Sequence, residues 1–166
     1  MERGQVSFGL VGRKPDSPHL DFRFFAKDRM VFVVRPEHEF CKRARIGIRE
    51  FCRQPLIVRD VGSGLRHFFE AAIRQAGKSP NDLTIALELG SNEAIKGAVM
   101  RGVGIAVLST YAVHKELAAG QLKAIRVPLC CERDMFVVQD RRRTVPLPAR
   151  QFLRFLEANP VLELTP

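Results

Sequence analysis

No stretch of this sequence is apolar for long enough to cross a bilayer. Its longest apolar runs, such as Ile105-Ala-Val-Leu108 and Met30-Val-Phe-Val-Val34, cover only a few residues, against the roughly twenty that a helix needs. The opening MERGQVSFGLVGRK lacks the basic-then-apolar layout of a secretory signal, so a cytoplasmic location with no membrane partner is expected. There is no C-x-x-C spacing among Cys41, Cys52, Cys130 and Cys131, and a vicinal pair such as Cys130-Cys131 rarely closes without strain. His19, His38, His67 and His114 are scattered, none at helical spacing from another with a carboxylate between. Free thiols in a reducing compartment, with no metal site and no disulfide, are therefore expected.

Catalytic signatures are missing as well. Gly62-Ser63-Gly64 invites comparison with a nucleophile elbow, but Val61 and Leu65 stand where G-x-S-x-G needs glycine. Neither a P-loop Gly-Lys-Ser/Thr nor a dinucleotide G-x-G-x-x-G occurs. The expectation is no enzyme, no catalytic residue and no cofactor. No helix-turn-helix pattern, zinc-finger spacing or aromatic RNA-binding signature is found either. The net charge of +9 arises from Lys and Arg spread along the whole length, with Arg141-Arg142-Arg143 the one dense run, which reads as a solvated basic surface. No internal repeat or low-complexity tract interrupts an ordinary globular composition of 46% hydrophobic and 27% charged residues.

What the sequence does contain is an alternation of strand and helix. Strands are expected at Val6 to Val11, Phe22 to Phe25, Arg29 to Arg35, Pro55 to Val58, Leu83 to Leu89, Gly104 to Leu108, Leu122 to Val127 and Met135 to Gln139. A single helical turn is expected around Ile48 to Cys52. Leu65, Phe68, Phe69, Ala72, Ile73 and Ala76 follow helical spacing, with Ser63 as N-cap and Gly77 at the end. Further helices are expected at Glu93 to Arg101, capped by Ser91 or Asn92, at Thr110 to Ala119, ended by Gly120, and at Pro148 to Ala158, burying Phe152, Phe155 and Leu156. The alternation predicts an α/β fold with mostly parallel sheets.

Two pieces share one shape: RDVGSGLRHFFEAAIRQAG and LELGSNEAIKGAVMRGVGIAVLS each join a strand to an amphipathic helix through a Gly-Ser turn. Such a turn gathers free backbone N–H groups and a hydroxyl at a helix start, a ready place for a small anion. Candidate ligand contacts are Ser63 and Gly64 in the first, Ser91 and Asn92 in the second, and Gly12 and Arg13 after the first strand. Arg66 and His67 lie in the first turn of the Ser63 helix, where His67 reads as a surface residue, and Ser109 and Thr110 read as a helix cap.

The segment LELGSNEAIKGAVMRGVGIAVLSTYAVHKELAAGQL resembles the effector-binding domain of LysR-type transcriptional regulators. FGLVG, RMVFVVRPEH, Phe51 to Pro55, VGSGLR and the closing Phe152-Leu-x-Phe-Leu156 follow in the family's order, with His38-Glu39 where the family usually has His-Pro. The resemblance implies a type 2 periplasmic-binding-protein-like fold, two Rossmann-like subdomains joined by a two-segment hinge, with a small, anionic effector held in the cleft between them. Mapped here, subdomain one takes residues 1–27 and 129–166 and is incomplete, subdomain two takes 28–128, and the crossings fall near Phe25 to Asp28 and Pro128 to Glu132. The family's winged helix-turn-helix, through which alone DNA would be met, and the opening strand, helix and strand of its effector domain precede the point where this chain starts. The strand Val6 to Val11 is then expected to lack a neighbour, favouring homo-oligomers. A stand-alone solute-binding protein of the same fold is the rival reading, and a small enzyme a weaker one.

Overall fold

A computed structural model describes residues 6–130 and 132–159. The described residues divide into two compact units: one takes 6–28 and 133–159, the other 29–132.

The Arg29–Glu132 unit is built on a mixed sheet. Its members are the second half of β2 (Leu20–Val34), β3 (Leu56–Arg59), β4 (Ile85–Leu89), β5 (Ile105–Ser109) and β6 (Lys123–Ile125). In space the order is β6-β2-β5-β3-β4. β3 lies parallel to both β4 and β5, whereas β2 lies antiparallel to β5 and to β6. The helices are α1 (Ile48–Cys52), α2 (Gly64–Gln75), α3 (Asn92–Met100) and α4 (Thr110–Ala118). Met30 to Val34 are all buried, so the side chains on both faces of this strand are covered. Phe32 of β2, Phe51 of α1 and Phe69 of α2 meet edge to face, with centroids 5.0 to 6.2 Å apart. Ile57, Ile73, Ile95, Val99 and Leu108 complete this core and are essentially inaccessible. Lys96 of α3 is buried and donates to Glu116 of α4 at 2.7 Å. That bond holds the Glu116 carboxyl below its ordinary range, because it favours the charged form more than burial opposes it.

The other unit contains β1 (Phe8–Val11), the first half of β2, β7 (Glu132–Asp140) and α5 (Leu147–Ala158). β1 pairs antiparallel with β7, Phe8 opposite Gln139 and Val11 opposite Phe136.

Three expectations need correction. The sheet is not mostly parallel: among the strand pairs with a described register, three are antiparallel and two parallel. Helical crossovers make neighbours parallel only within β3-α2-β4-α3-β5. β2 and β6 enter by other connections, whose direction hydrophobic patterning does not report. The strands expected at Phe22 to Phe25 and Arg29 to Arg35 are one continuous β2. Asp28, within the continuous strand, is a buried carboxylate that accepts from Arg133 Nε and Nη2 at 2.9 and 2.6 Å. Finally, α5 buries Leu153 rather than Phe152 and Phe155, which are 48% and 59% exposed. These rings stack on each other, and Phe152 stacks on Phe8 at 5.8 Å, forming an outward aromatic face.

Candidate functional site

β3 and β4 run side by side in the same direction, with Arg59 opposite Leu89, so their carboxyl ends lie together. Each end leads through a short turn into a helix, which brings the starts of α2 and α3 to the same end of the sheet. Ligands of open α/β sheets bind outside strand carboxyl ends of this kind.

At the first turn Ser63 N donates to Asp60 O at 2.9 Å, which closes the loop. Ser63 Oγ accepts from Leu65 N at 3.3 Å, and Gly64 opens the helix behind it. At the second, Ser91 Oγ accepts from Ala94 N at 3.1 Å, and Asn92 is the first helical residue. Ser63 and Ser91 are thus N-caps, and the remaining first-turn amides of each helix are the donors that a ligand could use. Ser109 caps α4 in the same manner, accepting from Tyr111 N at 3.2 Å.

The side chain joining the two turns is Arg59, which the sequence reading passed over. Its Nη1 donates to Asn92 Oδ1 at 3.1 Å, while Nε and Nη2 donate to Asp60 Oδ1 at 3.2 and 3.1 Å. One guanidinium therefore locks the α3 start to the turn before α2, and the Asn92 oxygen serves that lock. Arg66, in the first turn of α2, is buried. It pairs with Glu70 and donates to Arg59 O at 3.3 Å, bracing the end of β3. His67 is exposed, its Nδ1 3.0 Å from Ser63 O. The only signal available for Arg59 was its place as the last residue of a buried strand; its partner lies 33 positions away.

Gly12 and Arg13 belong to the other unit. A Cβ on Gly12 would stand 3.1 Å from Arg133 Nη1 and 3.3 Å from Met135 Sδ, so glycine leaves room for the guanidinium that Asp28 holds. Arg13 is exposed, with no ion pair among the described residues, and Lys14 Nζ sits 4.2 Å over the Phe136 ring. Among the described residues there is no group of His, Cys, Asp and Glu arranged to hold a metal. The Cys41 and Cys52 thiols are pushed up by burial, away from reactive thiolates.

A family model described as the LysR substrate binding domain matches residues 1–160. The HTH-type transcriptional regulator CbbR of Xanthobacter flavus is 37% identical over 93% of this chain and 48% of that protein. The HTH-type transcriptional activator CmpR of a Synechocystis strain is 29% identical over 90% and 49% respectively. The chain spans about half the length of these curated relatives. Among solved structures, the regulatory domain of Synechocystis CcmR in complex with 2-PG has a TM-score of 0.83 at 26% identity, over 95% of this chain and 75% of that one. The effector binding domain of QuiR in complex with shikimate has a TM-score of 0.79 at 17% identity, over 93% and 72%, a likeness of fold alone.

Proposed function

This chain belongs to the LysR substrate-binding domain family, and we propose that it is the effector-sensing part of a LysR-type transcriptional regulator in the cytoplasm, taking a small anionic metabolite at the paired starts of α2 and α3. The observation that carries this is the Arg59 lock: two helix N-termini, whose first-turn amides have no acceptor within the helix, are fixed beside each other by one guanidinium. Both helix starts favour negative charge, and locking them in advance lowers the ordering cost of binding. Relatives with printed regulatory roles, and a similar regulatory domain in complex with 2-PG, support the reading. In it, Ser63, Gly64, Ser91 and Asn92 form the ligand shell of this unit, and Gly12 and Arg13 are the ligand candidates within the other unit. The chain acts as a binding module without catalytic residues.

The test separates capping from recognition. Ser63→Ala should lower stability by about 0.5–2 kcal/mol through the lost cap alone, whereas Ser63→Gly should cost only a few tenths. A panel of small carboxylates and phosphate esters is screened by thermal shift, and the best stabiliser is titrated by calorimetry. Ser63→Gly should weaken it about ten-fold, at a nearly unchanged melting temperature. Unchanged affinity in that variant would leave Ser63 as a cap only.

We also propose that the chain self-associates. β1 pairs with β7, and Leu10, Phe24, Phe152 and Phe155 are all close to half exposed or more in the same unit. An apolar patch beside a strand edge favours association. Sedimentation velocity should show mass rising with concentration, and Phe152→Ser with Phe155→Ser should reduce it. A monodisperse monomer across the range would remove this proposal.

A further inference from the structure

We propose a second ligand site, independent of the first, within the Arg29–Glu132 unit: a pocket for a small organic anion with an apolar body, held by Arg45 and Arg126. The pocket has a volume of about 580 Å³ and is lined by Arg45, Ile46, Gly47, Arg126, Val127 and Pro128. That is the size of ordinary small-molecule sites, which combine an apolar wall with a few placed polar groups. The accessible apolar wall here is Pro128, backed by the buried Ile46 and Val127. Ile46 N donates to Arg126 O at 3.1 Å, so the two backbone segments that form the pocket are tied together.

The charges single this pocket out. Arg23, Arg43, Arg59, Arg66, Arg133 and Arg141 each have a carboxylate partner. The side chains of Arg45 and Arg126 have neither a hydrogen bond nor an ion pair among the described residues. Two unneutralised guanidinium groups beside an apolar wall attract an anion more strongly than the same charges in open water. Each offers the planar fork that suits a carboxylate. The larger neighbouring cavity, about 810 Å³, shares Arg126 and Val127 with this pocket but not Arg45, and it adds the Glu132 carboxylate, 4.0 Å from Arg29, so among the described residues only the smaller pocket brings two unpaired arginines together. A phosphate backbone would meet the two arginines but leave the exposed apolar face of Pro128 uncovered, so the occupant is an amphipathic carboxylate rather than nucleic acid.

Benzoate and octanoate serve as probes, with benzyl alcohol and inorganic phosphate as controls, followed by amide chemical shifts in the 15N-labelled chain. Either carboxylate should saturably shift Gly47 and Val127, and benzyl alcohol and phosphate should bind about ten-fold more weakly or less. Arg45→Ala with Arg126→Ala should weaken the carboxylate about ten-fold or more while melting temperature stays close to wild type, since both side chains are exposed. Ser63→Gly should leave these shifts unchanged, so failure here and failure of the first site are separable. No shift with either carboxylate, equal binding of phosphate, or shifts that survive the double arginine variant would overturn the proposal. A DNA duplex displacing the carboxylate from the wild type as readily as unlabelled benzoate does would also overturn it.

Discussion

Gly104→Ala should be among the most damaging single substitutions in this chain, lowering unfolding free energy by about 3 kcal/mol or more. Gly104 is buried, and a Cβ there would stand 2.2 Å from the Pro55 carbonyl oxygen and 2.9 Å from its carbon. Both atoms are backbone, so no rotamer change relieves the overlap. Pro55 O also accepts from Ile105 N at 2.9 Å, the bond that starts the pairing of β5 with β3. Widening the gap to admit a methyl group therefore pulls apart two central strands whose flanking residues, Leu56 and Ile105, are fully buried. Gly90→Ala is the control, because nothing lies within 4 Å of a Cβ at that position. Thermal and urea unfolding should place Gly90→Ala near wild type and Gly104→Ala far below it. Similar melting of the two variants would mean that the close approach at Pro55 is not what requires glycine.

Arg133→Met should be comparably damaging, at about 3–5 kcal/mol, the usual cost of removing one partner from a buried ion pair. The Asp28 and Arg133 side chains are 6% and 11% exposed and are joined through two nitrogens on one oxygen. Without the guanidinium, the Asp28 carboxylate stays in a place from which water is largely excluded. Replacing both partners with apolar residues, Asp28→Leu with Arg133→Met, should recover much of the loss, because no unbalanced charge then remains. The exposed pair Arg141–Asp21, at 3.1 Å, is the comparison and should show a coupling of at most about 1 kcal/mol in a double-mutant cycle. If the Asp28–Arg133 cycle gave a coupling as small as that, the pair would not hold β7 to the centre of β2.

Helix starts and their caps were legible from residue order because they depend on local chemistry. A serine hydroxyl reaches an amide two or three positions on, so Ser63, Ser91 and Ser109 cap the helices they precede. The apolar stripe of α2 was readable for the same reason: Leu65, Phe69, Ala72 and Ile73 repeat at helical spacing and all are buried. On α5 the same logic misled. Its aromatic residues repeat as a buried face would, yet the buried side is set by Leu153, and the position of a neighbouring layer is not encoded in periodicity.

From the sequence alone came the α/β class, the sites of the turns and the two Gly-Ser helix starts, all governed by interactions within a few residues. Only the tertiary structure decided which strands lie parallel, that β2 is unbroken, that Arg66 is buried, and that Arg59 joins Asp60 to Asn92. It alone also brought Arg45 and Arg126 to one apolar pocket with no side-chain partner among the described residues. Each of these depends on residues tens of positions apart meeting in space. A charged side chain finds its partner, or none, only once the sheet order places the two together.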